Sequence, residues 1–307
     1  MNGKTDKPGP SAPPRTPPSD VKTRTEHATK SVGLTRKFSG ERVSSRGSPS
    51  SVPALPRTEL VGVLLTVPVY NEAERIARTI IEIEELVQKV ANRFQITLAI
   101  AEDGSTDGTK EMLQQLRAEG HTFLLIMEPD KKGRGQALRS LWQSCSYDVY
   151  AFCDADLSSD LTAIVQLLEG VQNGHDVAIG SRYIDGALVN RPVGRRLVSL
   201  MYNSLIRAIF KTGVADHQCG LKAFSRAATV LLLPLSKEDS WFWDTEMIVL
   251  ARQLNLSIVE LPVSWVEKKV RRTKILRLIS DLYLHGSGII RLKGTIQALK
   301  RGESKGK

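Results

Sequence analysis

The sequence predicts an α/β fold, a mostly parallel sheet with helices on both faces. Three observations carry that expectation. From residue 60 onward, short apolar runs alternate with stretches of helical periodicity. The first apolar run, "LVGVLLTVPVY", is continuous rather than alternating, as expected of a strand buried on both faces. Early runs also end abruptly in carboxylate-rich sequence, which would line one edge of the sheet with polar groups.

The elements follow in order. After the first strand, "NEAERIARTIIEIEELVQKV" places Ile76, Ile80, Ile83, Val87 and Val90 on one helical face. "QITLAIAED" reads as a second strand and "TDGTKEMLQQLRAEG" as a helix stopped by Gly120. Then come strand "TFLLIM", helix "GRGQALRSLWQSC", strand "VYAFCD", helix "DLTAIVQLLEGVQNG" and strand "DVAIGSRY". Beyond Tyr183 the pattern loosens. "RPVGRRLVSLMYNSLIRAIF" reads as a helix entered through Pro192, and "DHQCGLKAF" as a short strand or loop. "FWDTEMIVLARQLN" is helical and "LSIVELPVSWVE" extended. The last segment, "RTKILRLISDLYLHGSGIIRLKGTIQALKR", reads as a helix whose middle Gly286 and Gly288 loosen.

Charge divides the 307 residues into three regions. Residues 1–57 carry 11 Lys and Arg against 4 Asp and Glu, and hold 9 of the 14 prolines, which predicts a disordered basic tail. Residues 268–307 carry 12 against 2 and form a basic amphipathic helical tail. The body, 58–267, is acidic, with 20 against 27, so the overall +10 does not describe a nucleic-acid groove on the folded domain. An acidic body with basic ends suits contact with an anionic surface. Within residues 271–293, Ile275, Leu276, Leu278, Ile279, Leu282, Ile289 and Ile290 lie among Arg and Lys, the composition of a helix lying in a membrane interface.

Cys145, Cys153 and Cys219 have no metal or redox spacing, which points to a reducing, cytosolic compartment. The start "MNGKTDKPGP" lacks the apolar core of a secretory signal, and no run approaches the ~18 residues of a membrane span. The histidines show no paired spacing; His217, beside Asp216, is the one of interest, and His285 reads as structural. Trp241, Trp243 and Trp265 read as core or interface packing.

Three polar clusters would meet at the carboxyl edge of the sheet: "PVYNE", "EDGSTDGT" and "DADLSSD". They gather Glu72, Asp103, Asp154 and Asp156, too many carboxylates to remain ionised together without cations or strong donors. A divalent metal shared between aspartates and phosphate oxygens answers that need. An EF-hand fails, because Ser159 stands where the loop requires Gly and Val165 where it requires Glu. Asp160 is placed to cap the helix that follows. "KKGRGQALRS" is neither a Walker loop nor a dinucleotide fingerprint, but offers backbone N–H groups with Lys131, Lys132 or Arg134 to a diphosphate.

In order and spacing, "VPVYNE", "EDGSTDGT", "GRGQAL", "DADLS" and "GSRY" resemble the family 2 glycosyltransferases, over about residues 60–267. "RRLVSLMYN", "DHQCGLKAF" and "WFWDTE" are similar to the polyprenyl-phosphate sugar synthases, the dolichyl-phosphate glucose and mannose synthase group. "QCGLKAF" is nearer the glucose type. The resemblance implies a GT-A fold, a Rossmann-like mixed, mostly parallel sheet. It implies that Pro68, Tyr70, Glu72 and Asp103 hold the nucleoside, Arg134 the diphosphate, and Asp154 and Asp156 a Mg²⁺ or Mn²⁺ ion. Ser158 stands where mannose synthases often have Gln, and Glu102 replaces the first of a usual Asp pair. Arg182, Arg195 and Ser199, with Asp216 and Gln218, would receive the acceptor phosphate.

The implied reaction is inverting hexose transfer from a nucleotide sugar, UDP-glucose or GDP-mannose, to a polyprenyl (dolichyl) phosphate. Asp156 and Arg182 would be its central residues. In a rival reading, transfer to a sugar hydroxyl, Asp244 or Glu246 would serve as the base. A nucleotidyltransferase would carry a glycine-rich loop where "PVYNEAER" stands. An inert fold used for binding is the remaining, non-enzymatic reading. The expected location is the cytoplasmic side of a membrane, reached by peripheral attachment or through a separate membrane subunit.

Overall fold

The computed structural model describes residues 60–128, 130, 132–266 and 275–304, with side chains of the last helix from 285 to 301. The expected tail at 1–57 and the start of the C-terminal basic segment lie outside the described residues.

The strands are β1 (Val61–Val69), β2 (Phe94–Asp103), β3 (Leu124–Glu128), β4 (Val149–Cys153) and β5 (Val177–Ser181). They are joined by helices α1 (Ile76–Val90), α2 (Thr109–Ala118), α3 (Arg134–Gln143) and α4 (Thr162–Gln172), as the alternation predicts. The remainder comprises β6 (Leu188–Asn190), α5 (Val193–Phe210), β7 (Leu221–Ser225), α6 (Arg226–Leu232), α7 (Trp243–Gln253), β8 (Ile258–Pro262), β9 (Ser264–Val266) and α8 (Ile275–Ser304).

The main sheet has seven strands in the order β3-β2-β1-β4-β7-β5-β8. β7 runs antiparallel to both β4 and β5, and the other pairings are parallel. The segment read as a short strand or loop is therefore a strand in the middle of the sheet. β6 and β9 form a separate parallel pair.

The unbroken apolar character of β1 is explained by burial on both faces. Val63, Leu65 and Val67 pack with α1, α2 and α4, while Leu64 packs with α3, α5, α6 and α7. α1 buries Ile76, Ile80, Ile83 and Val90, the stripe its periodicity predicts. Trp142 centres the second core, ringed by Tyr150, Phe152, Phe224 and Trp243 at centroid distances of 5.5–6.2 Å. Its indole N–H donates to Thr66 Oγ1 at 3.0 Å, so the polar atom of a buried ring is satisfied.

α8 corrects one expectation. It continues through Gly286 and Gly288 instead of loosening there. A Cβ on Gly288 would lie 2.5 Å from the Phe242 ring, so the glycine lets helix and ring approach. Ile289, Leu292, Ile296 and Leu299 pack on the second core. This half of the C-terminal segment docks on the body, and only Ile290 is strongly exposed among its described large apolar residues.

Candidate active site

Strand order reverses between β1 and β4, and a crevice opens at the carboxyl ends of such neighbours. The loops leaving these two strands are "YNE" and "DADLSSD". Each turns through a residue with positive φ, Asn71 at 55° and Leu157 at 46°. Asn tolerates that conformation, whereas for a buried Leu it is strained. Leu157 N–H donates to Asp154 O at 3.2 Å and Ser158 N–H to Asp156 Oδ1 at 2.9 Å, closing a tight turn around the two aspartates.

The first loop is tied to the loop after β2. Asn71 N–H donates to Ser105 Oγ at 2.9 Å, Thr106 N–H to Asn71 Oδ1 at 2.9 Å, and Glu72 N–H to Thr109 Oγ1 at 3.0 Å. Tyr70 is left half-exposed beside Pro68, and the Glu72 carboxylate meets Arg75 at 3.3 Å. Asp103 is buried and accepts the N–H groups of Lys132 and Gly133 at 2.7 and 2.8 Å. The N–H groups of Gly135 and Gln136 go to Asp239 O. Four backbone donors of this stretch, those of Lys132, Gly133, Gly135 and Gln136, expected to face a diphosphate, are thus engaged within the protein. Both glycines are needed for that packing: a Cβ on Gly133 would lie 2.2 Å from Asp239 O, and one on Gly135 2.6 Å from Trp243 Cβ.

Arg134 turns inward. Its guanidinium binds Asp154 at 2.8 Å and also Asp244, from the first turn of α7. It lies over the Phe152 ring at 4.7 Å and the Trp241 ring at 4.9 Å. Lys222, wholly buried on β7, reaches Asp244 Oδ1 at 3.6 Å and donates to Cys219 O at 2.5 Å. Two cations therefore already sit among the carboxylates, and sequence reading found only one of them. The pattern hid Lys222 in a segment read as a short strand or loop, and the residue that compensates it is Asp244, remote in sequence. Trp241, expected in packing, is exposed, while Trp243 and Trp265 are buried.

On the other side of β7, Arg182 and Asp216 form a buried bidentate pair, with Nε–Oδ2 at 2.7 Å and Nη2–Oδ1 at 2.9 Å. The partner, Asp216, lies 34 positions further along the chain. Arg182 also covers the Trp265 ring at 4.8 Å. Glu260 on β8 accepts the N–H groups of Ala215 and Asp216 at 2.8 and 3.1 Å, and Gln218 N–H donates to Asp216 Oδ1 at 3.2 Å. His217 is buried between Asn203 Oδ1 and Thr212 Oγ1, each at 2.9 Å. Burial pushes its pKa down to about 3, so the ring is neutral, with Nδ1 donating to Asn203. Arg195 and Ser199 lie one turn apart on α5, and the buried Ser199 Oγ has no hydrogen-bond partner among the described residues. Glu246 is taken up by Ser236 Oγ and the N–H groups of Lys237 and Glu238. Asp160 accepts Thr162 N–H at 2.9 Å, at the start of α4.

The donor set suits a hard divalent cation. Among the described residues no three His, Cys, Asp or Glu side chains gather as a metal site, so the protein would supply two carboxylates, Asp154 and Asp156, both half-exposed. Diphosphate oxygens and water would complete a Mg²⁺ or Mn²⁺ shell. Burial raises the Asp154 pKa, Arg134 pulls it down, and the like charges of Asp156 and Asp244 raise it again, an imbalance a cation relieves. Gly220 leaves the necessary room, since a Cβ there would lie 1.8 Å from Asp154 Oδ2.

Residues 65–231 match the model of glycosyl transferase family 2. The chain is 34% identical to the glycosyltransferase AglD of Haloferax volcanii over 240 residues, covering 78% of this chain but only 38% of that one. It is 28% identical to the dolichyl-phosphate beta-glucosyltransferase of Saccharomyces cerevisiae, covering 68% of each. The glucosyl-3-phosphoglycerate synthase of Mycobacterium tuberculosis, solved with Mn²⁺, UDP and glucosyl-3-phosphoglycerate, superposes with a TM-score of 0.53 at 18% identity, covering 78% of this chain and 79% of that one.

Proposed function

This chain belongs to glycosyl transferase family 2 and has the GT-A fold, and from that premise we propose that it transfers a hexose from a nucleotide-diphosphate sugar to a polyprenyl phosphate. The observation that carries the reading is the division of charge about the crevice. Asp154 and Asp156 follow β4 at the β1/β4 switch point, while Arg195 and Ser199, whose hydroxyl has no hydrogen-bond partner among the described residues, lie on α5 in a stretch, residues 186–215, that contains no Asp or Glu. One side suits a cation, the other a phosphate.

On the donor side, Pro68, Tyr70, Glu72 and Asp103 hold the nucleoside. Asp154 and Asp156 hold Mg²⁺ or Mn²⁺, which when bound offsets charge on the leaving diphosphate. Arg134 neutralises Asp154 and Asp244 and, beside the metal-binding carboxylates, is the guanidinium offered to the diphosphate. On the acceptor side, Arg195 and Ser199 grip the phosphate. Arg182, fixed by Asp216, orients that wall together with Gln218. A phosphate monoester is already anionic near neutral pH, since its second pKa is about 6, so the acceptor needs no dedicated base. Direct attack inverts the anomeric centre, giving a β-linked product from an α-linked donor.

The glucose-type "QCGLK" segment and the yeast relative favour glucose over mannose. Asp244, flanked by Arg134 and Lys222 and almost wholly buried, has no open face for a sugar hydroxyl, which counts against the rival acceptor. The test is incubation with Mg²⁺ or Mn²⁺, dolichyl or undecaprenyl phosphate, and a panel of nucleotide sugars. The expected result is a lipid-phosphate hexose with release of nucleoside diphosphate from UDP-glucose or GDP-mannose. Transfer only to sugar hydroxyls, or release of pyrophosphate, would overturn it.

A further inference from the structure

β9 is three residues long, yet it touches both halves of the site. On one side it holds the loop that carries Asp154 and Asp156. Val266 N–H donates to Ser158 O at 2.8 Å and Asp160 N–H to Ser264 O at 3.1 Å, so Ser159 and Trp265 face one another as an antiparallel bridge. On the other side the Arg182 guanidinium lies over the Trp265 ring, 4.8 Å from its centroid. The strand is anchored twice more. Trp265 pairs with Val189 of β6, and Val263 N–H donates to Ser181 O, the last residue of β5.

Packing alone does not account for this tryptophan. A buried indole N–H normally finds an acceptor, as that of Trp142 does. The Trp265 N–H has none among the described residues, and neither has the facing Ser159 hydroxyl, although both residues are only 8% exposed. What Trp265 does offer is its ring, the preferred π surface for a guanidinium. Asp216 already meets the charge of Arg182 and fixes one edge of it through Nε and Nη2. The ring bounds the guanidinium on another side. Of the two rings near Arg182, Tyr183 at 5.5 Å and Trp265 at 4.8 Å, only Trp265 sits on the strand bonded to the carboxylate loop.

We propose that Trp265 is a positioning residue that sets the acceptor wall at a fixed distance from the donor carboxylates. This rests on the transferase reading above and deepens it. The two walls grow from different strands, β4 and β5, and β9 is the brace bonded to both. In-line attack needs such a brace, because a misplacement of ~1 Å costs on the order of a hundredfold.

The test compares Trp265→Leu, which keeps apolar bulk but removes the ring, with Trp265→Phe, which keeps a ring. Phe94→Leu, a buried aromatic at the amino end of β2, is the control for lost packing. Rates are measured with dolichyl phosphate and UDP-glucose or GDP-mannose, and binding of Mn²⁺ with UDP or GDP by calorimetry. Trp265→Leu is expected to lose about tenfold or more in kcat at saturating acceptor, with Kd for Mn²⁺ and nucleotide within about threefold of wild type. Trp265→Phe is expected to recover most of the loss. Phe94→Leu is expected to lose stability in urea and keep its kcat. A second readout needs no turnover. In protein labelled with 5-fluorotryptophan, the Trp265 resonance is the ¹⁹F signal missing from Trp265→Phe. It is expected to shift when Mg²⁺ and UDP or GDP are added, and again with a short-chain, water-soluble polyprenyl phosphate.

Wild-type kcat in Trp265→Leu overturns the proposal. So does a loss in Trp265→Phe as great as in Trp265→Leu, a matching loss in Phe94→Leu, or a Trp265 resonance that ignores both ligands. Failure of the transferase reading looks different. The wild type then makes no lipid-phosphate hexose, while the Trp265 resonance still responds to Mg²⁺ and nucleotide.

Discussion

Arg134 and Arg182 are both buried, both lie over aromatic rings and both meet aspartates, yet they are satisfied to different degrees. Arg182 spends Nε and Nη2 on one carboxylate, with 4% of its side chain and none of that of Asp216 exposed. Arg134 divides itself between two carboxylates, its Nε finds no acceptor among the described residues, and one of its partners, Asp154, is 26% exposed. A closed pair of the first kind fixes two loops and has little left to give. An open cluster of the second kind borders solvent with unspent hydrogen-bonding capacity, which is where the proposed diphosphate and cation would find partners. Burial alone does not separate the two arginines, and the count of satisfied donors does.

The largest effect is expected at the open cluster. Asp156→Ala should lower transfer by about a thousandfold or more, the several kcal/mol a catalytic metal contributes. Its stability, followed by urea denaturation, should move by less than ~1 kcal/mol, because Asp156 is half-exposed and makes a local turn contact. A large stability loss would mean the turn, not the cation, needs this residue.

Next come the arginines themselves. Arg182→Met strands Asp216 in the interior and should cost roughly 3–5 kcal/mol of stability. Arg134→Met should cost about half of that, since Asp154 opens to water and Lys222 still flanks Asp244. Equal losses in urea titrations would break the distinction between closed and open. Mn²⁺ with a nucleoside diphosphate should stabilise the wild type by about 2.7 kcal/mol at a hundredfold excess over Kd, read as a rise in Tm, and should do nothing for Asp154→Ala.

The smallest effect concerns His217, next to the closed pair. Its folded pKa, about 3, lies below the unfolded value near 6.5. The unfolded chain therefore binds the extra proton first. The contribution is whole above pH 6.5 and is lost as pH falls from there towards 3, about 2 kcal/mol by pH 5. His217→Gln should flatten the stability profile between pH 6.5 and 5 relative to the wild type, and parallel profiles would show that the ring is not the sensor.

Much of the fold was legible because two periodicities are local. β1 to β5 and α1 to α4 follow the alternation of apolar runs and helical stripes, and the edge where their loops converge follows from parallel connection. β7 was harder. Its antiparallel place between β4 and β5 is a tertiary choice, and a fully buried Lys222 in the middle of "GLKAF" argues locally against a central strand. Cys219 O, Phe152 and Asp244, gathered by folding, help make that burial tolerable. In the site, Asp154, Asp156 and Asp103 were visible as residues, but the partners they choose were not. Arg134 bridging to Asp244 spans 110 positions of sequence, and the glycines around it answer to the close approach of the chain at Glu238–Trp243 rather than to a phosphate.

The central claim is that the carboxylates at the β1/β4 switch point receive a divalent cation together with a nucleoside diphosphate. Calorimetric titration of UDP and GDP into the protein, with and without Mn²⁺, tests it most directly. The account predicts that one of the two binds only when Mn²⁺ is present, and that Asp154→Ala and Asp156→Ala each abolish the cation-dependent binding while remaining folded. Binding of equal strength without the metal, or unchanged in both variants, would contradict it.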